Sequence, residues 1–531
     1  MSPMPDEGHA ANDFRTAWWQ RLAKEGATYE LARFSILRLL ALVQLAAFVS
    51  LAWQLDSLIG SDGLLPAAQW LDSVRAGLGF EAYWRVPTLF WLSASDGAMH
   101  VACAAGIALS AAALLGVTHA GVELAIWALY ASFVHVGQIF YGYGWELQLL
   151  ETTVLASFLC PWRGWRPLPR TRSPVVVLWL FRWLVFRVML GSALIKLRGD
   201  PCWLDFTCLD FHFETQPNPN PLSYWLHAAP HGVHVAGVVF TYAVELLVPW
   251  FAFPFAFRRA RLWAGVGLVA LQVMLIASGN LSFLNWLTIV PALACFDDDV
   301  LARFLPRGLR RAWRARLAAL RPPSLGQARG AGAWAVVVAI LSVAPVANLA
   351  SCDQRMNASF DPLDLVNTYG AFGSVDRARY EVILEGSQAP ALGPATAWTE
   401  FELPCAPGTP TRHPCVVTPY HYRLDWQMWF VGNAAPRGER IAQEPWLVHL
   451  IWQLLRGEPQ ATRLLARPPF AEGPPRWIRA GIWRYEFSRA PGPAWWSRER
   501  VGELLPPVSV DDPGLRAFVR AYRWPDAPSD E

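Results

Sequence analysis

Long apolar runs separated by short polar stretches occupy the chain from residue 35 to residue 349. A helix that crosses about 30 Å of hydrocarbon needs about 20 mostly apolar residues. The runs that meet or approach this length are 35–55, 99–117, 120–141, 145–160, 174–195, 233–257, 262–278, 283–296 and 331–349. The fourth and eighth are the shortest. The stretch 64–95 is apolar but interrupted by Asp72, Arg75, Glu81 and Arg85, and predicts interfacial helices, not a span. Mixed-charge residues 1–34 precede the first run, so no cleavable signal peptide is expected and the run itself serves as an uncleaved anchor.

Beyond residue 350 the pattern changes. Pro and Gly become frequent and the long apolar runs stop. Alternation in RYEVILEG (379–386) and WTEFELP (398–404) predicts strands. WLVHLIWQLLRG (446–457) predicts an amphipathic helix ending at Gly457. The patterns over 496–505 and 513–522 predict two more helices. The expected fold is an α-helical polytopic membrane bundle of about nine spans followed by an α+β, β-rich extracytoplasmic domain. Its parts are an N-terminal cytoplasmic segment (1–34), a transmembrane region (35–349) and the C-terminal domain (350–531).

Charge orients this arrangement. With the N-terminus inside and nine crossings, the inner segments carry 19 Lys+Arg and the outer loops carry 3. Such asymmetry is the positive-inside pattern. Outer loops then include 197–232, and the inner loop 298–330 is basic. Within it, 300–320 predicts a basic amphipathic helix lying on the anionic inner surface; the plainer reading is a cytoplasmic loop helix. Composition agrees with a bilayer as the solvent. The chain is 54% hydrophobic with a mean hydropathy of +0.23. Only 16% of residues are charged, against about 25% in soluble proteins. The 29 tryptophans suit membrane interfaces. A net charge of +3 gives no reason to expect nucleic acid as a partner.

Several side chains carry candidate chemistry. Charges inside spans are costly and face the bundle interior. Arg187 sits mid-span in the fifth run, Glu245 at similar depth in the sixth, and Glu151 just inside the fourth, with Glu146 near its start. An Arg187–Glu245 or Arg187–Glu151 pair would offset the cost. His135 and Gln138 are expected on one face of the third span, bonding across helices or lining a cavity. Only Lys24 and Lys196 are lysine among 45 basic residues. Arginine stays charged, whereas a desolvated lysine can lose its proton. Lys196 is therefore a candidate catalytic base, or else a lysine snorkelling to the interface.

The outer loop holds Asp200, Trp203, Asp205, His212 and Glu214. The spacing of His212 and Glu214 suits one strand face, but metal is not expected there. Prolines keep QPNPNP (216–221) extended. Outside the membrane, Cys202 with Cys208 and Cys405 with Cys415 can form disulfides, leaving Cys352 odd. Cys103, Cys160 and Cys295 fall in or beside spans.

Five blocks, YGYGWELQLLET (141–152), FHFETQPNPNPLSYW (211–225), GNLSFLNWLTIVPAL (279–293), LVNTYGAFGSVDRARYEVILEG (365–386) and TPYHYRLDWQMWF (418–430), resemble in order the lipase maturation factor family. The likeness runs from about 140 to 505. It implies a membrane protein of the secretory pathway that helps exported lipases reach their active form. Trp426, Trp429 and Phe430 are then candidates for holding apolar client surface, or form the domain's own core. The arginine bias points to a bacterial plasma membrane with the C-terminal domain in the periplasm; in a eukaryote the place would be the endoplasmic reticulum membrane. A shorter segment, GSALIKLRGDPCWLDFTCLDF (191–211), is similar to the vitamin K-dependent gamma-carboxylase. That resemblance implies an alternative, a membrane enzyme using Lys196 as base on a lipid-soluble cofactor. Lipid bilayer and exported proteins are the expected partners. No nucleotide loop, serine-hydrolase arrangement or zinc signature is present.

Overall fold

The computed structural model describes residues 28–253, 258–438, 441–488 and 492–528. The predicted N-terminal segment lies outside these residues up to position 27, and Lys24 with it. Every apolar run yields helix: α1 Glu30–Ile59, α2 Asp96–Leu115, α3 Ala120–Val136, α4 Gly144–Ser157, α5 Val175–Arg198, α6 His231–Tyr242, α7 Arg258–Ser278, α8 Leu284–Ala292, then α9 Leu325–Leu341 and α10 Val343–Ala350 as one broken rod. Polar caps start several of them. Ser95 accepts from the Ala98 N–H and Ser324 from the Gln327 N–H, relieving backbone donors that hydrocarbon cannot satisfy. Among the described residues six helical segments are long and apolar enough to cross a membrane: 30–59, 96–115, 175–198, 231–252, 258–278 and 325–350. Helices α3 and α8 are apolar but shorter, and α4 has only 14 residues. Length and composition thus support six spans outright; the expected nine is not confirmed.

Contacts at helix ends sort onto two faces. On one, the Glu30 and Leu31 N–H groups donate to Asp298, Ser173 N–H donates to Glu30, and Arg258 pairs with Asp297. On the other, Ser61 meets Asp96, Gln138 meets Leu65, Gln216 meets Ser278 and Asn280 meets Asn218. Successive bundle helices alternate between these faces. The basic helix is present as Arg307–Ala318; it buries Trp313 and ties back through Arg316, which donates to the Leu168 and Pro169 carbonyls.

The sixth run is not a uniform helix. Pro249 has no N–H to donate to the carbonyl four residues back, that of Glu245. There α6 continues as π-helix over Ala243–Leu247 and 3-10 helix over Val248–Ala252. π-Turns recur at functional sites.

After α10 come a two-residue ribbon, β1 Ala358–Ser359 with β2 Asn367–Thr368, and a four-stranded antiparallel sheet. Its strands are β3 Arg379–Ser387, β4 Thr399–Glu400, β5 Trp477–Phe487 and β6 Trp496–Val508, in the order β4-β3-β5-β6. Helices α11 Arg423–Ala434 and α12 Pro445–Arg456 accompany the sheet. Gly432 of α11 lies so close to β3 that a Cβ would fall 2.3 Å from the Tyr380 carbonyl oxygen. Gly457 ends α12 in the left-handed region, and Pro513–Tyr522 is helical.

Three expectations fail. Residues 496–505 form β6, not a helix, because backbone pairing with β5 outweighs local propensity; Pro506 and Pro507 are tolerated since β6 is an edge strand. Only Thr399 and Glu400 of 398–404 pair as strand. His212 and Glu214 lie on a helix, Cys208–Thr215, not a strand, so two-residue spacing turns them to different faces.

Candidate functional site

Three buried ion pairs organise the bundle where it meets the C-terminal region. Of the two partners expected for Arg187, Glu151 is the one placed against it. The same carboxylate accepts from the Asn367 N–H at 3.1 Å and the Tyr369 hydroxyl at 2.7 Å. Arg187 in turn donates to the Asn367 carbonyl. In the second pair, Glu146 accepts from Arg423 at 2.8 Å and from the Tyr130 hydroxyl. The Arg423 guanidinium also donates to the Phe140 carbonyl and lies 3.5 Å from the Tyr141 ring centre. Both pairs therefore join α4 to residues beyond α10. Burying such charges is tolerable only when each is paired and hydrogen-bonded, as here.

The third pair differs. Lys196, in the last turn of α5, donates to both oxygens of Glu245 at 2.8 and 2.7 Å. Its ammonium stands 5.4 Å from the Trp203 ring centre. Glu245 therefore serves Lys196 and not Arg187. The pair borders a cavity of about 280 Å³ lined mainly by apolar side chains; its other polar lining residues are Ser192, His212, His234, Thr241, Gln272, Ser278, Asn285 and Thr288, of which His234 is already bonded to Asp210 and the Leu226 carbonyl.

The outer loop is held in place by the segments around it. Cys202 and Cys208 are bridged, with Cα atoms 4.8 Å apart, as are Cys405 and Cys415 at 5.5 Å. Cys352 is free and exposed; Cys103, Cys160 and Cys295 are free and buried. Asp200 caps the turn at Pro201–Trp203 and pairs with Arg377 at 2.7 Å, which holds its carboxyl down at about 2. Trp203 donates to the Phe372 carbonyl, and Asp205 is exposed. Glu214 accepts from the Phe487 N–H at 2.6 Å, and burial raises its pKa. His212 faces the cavity; burial, aided by the Lys196 charge, pushes its imidazole down to about 4. His135 and Gln138 do not share a helix face, because α3 ends at Val136 and Gln138 adopts a positive φ. Gln138 donates to the Leu65 carbonyl, while His135 lies 3.9 Å from Asp364.

Trp426 is buried at the junction, packed edge-on against Trp145 and Tyr143. Trp429 donates to the Thr215 carbonyl. Phe430 is 45% exposed. Sequence reasoning missed the residues that fasten the junction: Arg379, which donates to the Glu214, Gln216 and Pro217 carbonyls, Asn280, which grips Cys415 and Val417, and Arg423 itself. Arg379 and Arg423 are fully buried, which nothing in the local sequence announces. Among the described residues no group of three or more His, Cys, Asp or Glu is placed to hold a metal ion.

A helical membrane protein whose C-terminal region is clamped onto one end of its bundle is the class these features define. The description "Lipase maturation factor transmembrane domain" matches residues 31–303, and "Lipase maturation factor C-terminal domain" matches 365–506. Lipase maturation factor 1 of Bos taurus is 45% identical over 525 residues, covering 94% of this chain and 92% of the relative. The Homo sapiens protein of that name is 42% identical over 524 residues, covering 94% and 91%. Lipase maturation factor 2 of Homo sapiens is 31% identical over 610 residues, covering 93% and 84%. No solved structure matches. The chain belongs to the lipase maturation factor family. These relatives are vertebrate proteins, so the comparisons support a membrane protein but not the bacterial plasma membrane expected from the arginine bias.

Proposed function

We propose that this protein assists the maturation of exported lipases from within a membrane of the secretory route, with its C-terminal region on the non-cytoplasmic side. The observation that carries this reading is likeness along nearly the whole chain: 42–45% identity over 94% of its length to proteins named lipase maturation factor 1. The positive charge on the opposite face supports the orientation, since basic loops stay cytoplasmic. Nine crossings fit that orientation best. The six long helices would then be joined by α3, α4 and α8, which are shielded enough by neighbours to cross despite their length. Client contact falls to the exposed C-terminal surface that includes Phe430, because Trp426 and Trp429 are engaged at the junction.

The test is a vertebrate cell line stripped of its own lipase maturation factors and supplied with a secreted lipase. Expression of this chain should raise lipase activity per unit of secreted lipase mass above the empty-vector level. Equal specific activity with and without the chain, at matched membrane expression, would overturn the reading.

A further inference from the structure

The cavity beside Lys196 and Glu245 has a shape and chemistry that the ion pair does not explain. At about 280 Å³ it lies near the low end of small-molecule sites, about 300–1,000 Å³. Its walls come from α5, α6, α7 and α8 and from the outer-loop helices Cys208–Thr215 and Pro221–His227. Helix α7 packs mainly on the 243–252 half of the sixth run, where the π-turn lies, and the first turns of α6 stand away from it. At that splayed end Leu222, Val233, Met274 and Ala277 both line the cavity and are exposed. These side chains sit on apolar helices near the ends facing the C-terminal region. With the helices crossing as proposed above, an opening there faces sideways into the bilayer near its interface.

Inside, one polar group is conspicuous. The His212 side chain is 8% exposed, lines the cavity, and makes no hydrogen bond among the described residues; its ring touches Phe213 and Phe372 edge-on. A buried imidazole without a partner costs free energy that a ligand oxygen would recover. Gln272 and Asn285 bond each other at 2.8 Å, which leaves the second amide atom of each without a partner among the described residues. Lys196 and Glu245 cancel each other's charge. An ionised ligand would find no uncompensated counter-charge; a neutral one meets a donor and an acceptor on His212.

From this geometry we infer that the cavity binds a neutral single-chain lipid bearing a hydroxyl or ester head, of the monoacylglycerol class. The acyl chain enters between α6 and α7, and the head hydrogen-bonds His212 and the Gln272–Asn285 pair. This goes beyond the maturation reading and is read out independently of any lipase.

The experiment uses the full chain in detergent micelles and a monoacylglycerol carrying a photoreactive diazirine in its acyl chain. Labelled peptides are mapped by mass spectrometry. Labelling should saturate and fall on 208–215, α6 and α7. Ala277→Trp, at the rim, should abolish it while leaving the thermal midpoint near wild type. His212→Leu keeps the apolar volume and should weaken labelling about tenfold, the loss of one to two buried hydrogen bonds. Excess unlabelled monoacylglycerol should displace the probe, and the same excess of a fatty acid should not. Labelling that does not saturate, or that survives Ala277→Trp, overturns the site. Equal displacement by fatty acid overturns the neutral-lipid assignment.

Discussion

Two regions of the bundle spend buried charge differently. Around Glu146 and Glu151 every carboxylate oxygen with a donor in reach belongs to a closed network, and the donors come partly from beyond α10: Arg423, Asn367 and Tyr369. Around Glu245 the only donor among the described residues is Lys196, and the pair faces an open cavity. The first arrangement fastens two parts of one chain; its charges are bought off by neighbours on all sides. The second leaves room for something else. An intramembrane charge is commonly taken as a functional mark, and this protein shows that the mark divides. A charge held by several partners from both sides of the junction is a fastening, whereas one beside a cavity and an unpartnered histidine is, on the inference above, a site.

The largest expected effect breaks the fastening. Arg423→Met leaves Glu146 buried and unpaired, which costs about 3–5 kcal/mol. It should lower folded yield and the thermal midpoint of the purified protein sharply. Arg423→Lys should not restore them, because lysine lacks the flat guanidinium that lies over Tyr141. Next is Cys405→Ser. The bridge to Cys415 closes a short loop at the irregular segment that Asn280 grips, and its loss should cost about 2–3 kcal/mol. A midpoint unchanged under reducing conditions would remove this bridge from the clamp.

Lys196→Met should cost less, about 1–3 kcal/mol, since water or ligand in the cavity can solvate the abandoned Glu245. The double change Lys196→Met with Glu245→Gln should recover most of it. A loss at Lys196 as large as that at Arg423 would erase the distinction between the two regions.

The smallest effect is one of pH. Asp425 is buried in the C-terminal region, where burial raises its carboxyl to about 7 although the Cys405 and Ala406 N–H groups both donate to it. The folded state therefore binds this proton more tightly than the unfolded state, whose carboxyl titrates near the ordinary value. Stability contributed by the group falls as pH rises from about 4 to about 7. Asp425→Asn should flatten that slope in melting curves recorded from pH 5 to 8. An unchanged slope would assign it to other groups.

Much of the fold was legible along the chain because lipid is an unforgiving solvent. A backbone in hydrocarbon must bond to itself, so each long apolar run becomes helix, and the runs were located to within a few residues. The same constraint does not act on the outer loop or on the C-terminal region. There His212 and Glu214, whose spacing suits one strand face, lie on a helix, and the helix expected over 496–505 became part of a strand, each following its tertiary neighbours. The blocks that carry the family likeness converge in space: Glu146 and Glu151, Gln216, Asn280, Asn367 and Tyr369, and Arg423 all meet at the junction. That likeness named a family without revealing that its residues are a clamp.

The sequence by itself determined the helical runs and the family, and it offered the two cysteine pairs that the structure then bridged. Tertiary structure alone decided which acid meets which base, and where the bundle is left open. Period and hydropathy are local quantities and can be read along one segment. Ion pairing and cavity formation depend on distances between segments as much as 277 residues apart, such as Glu146 and Arg423, and no local pattern encodes those distances.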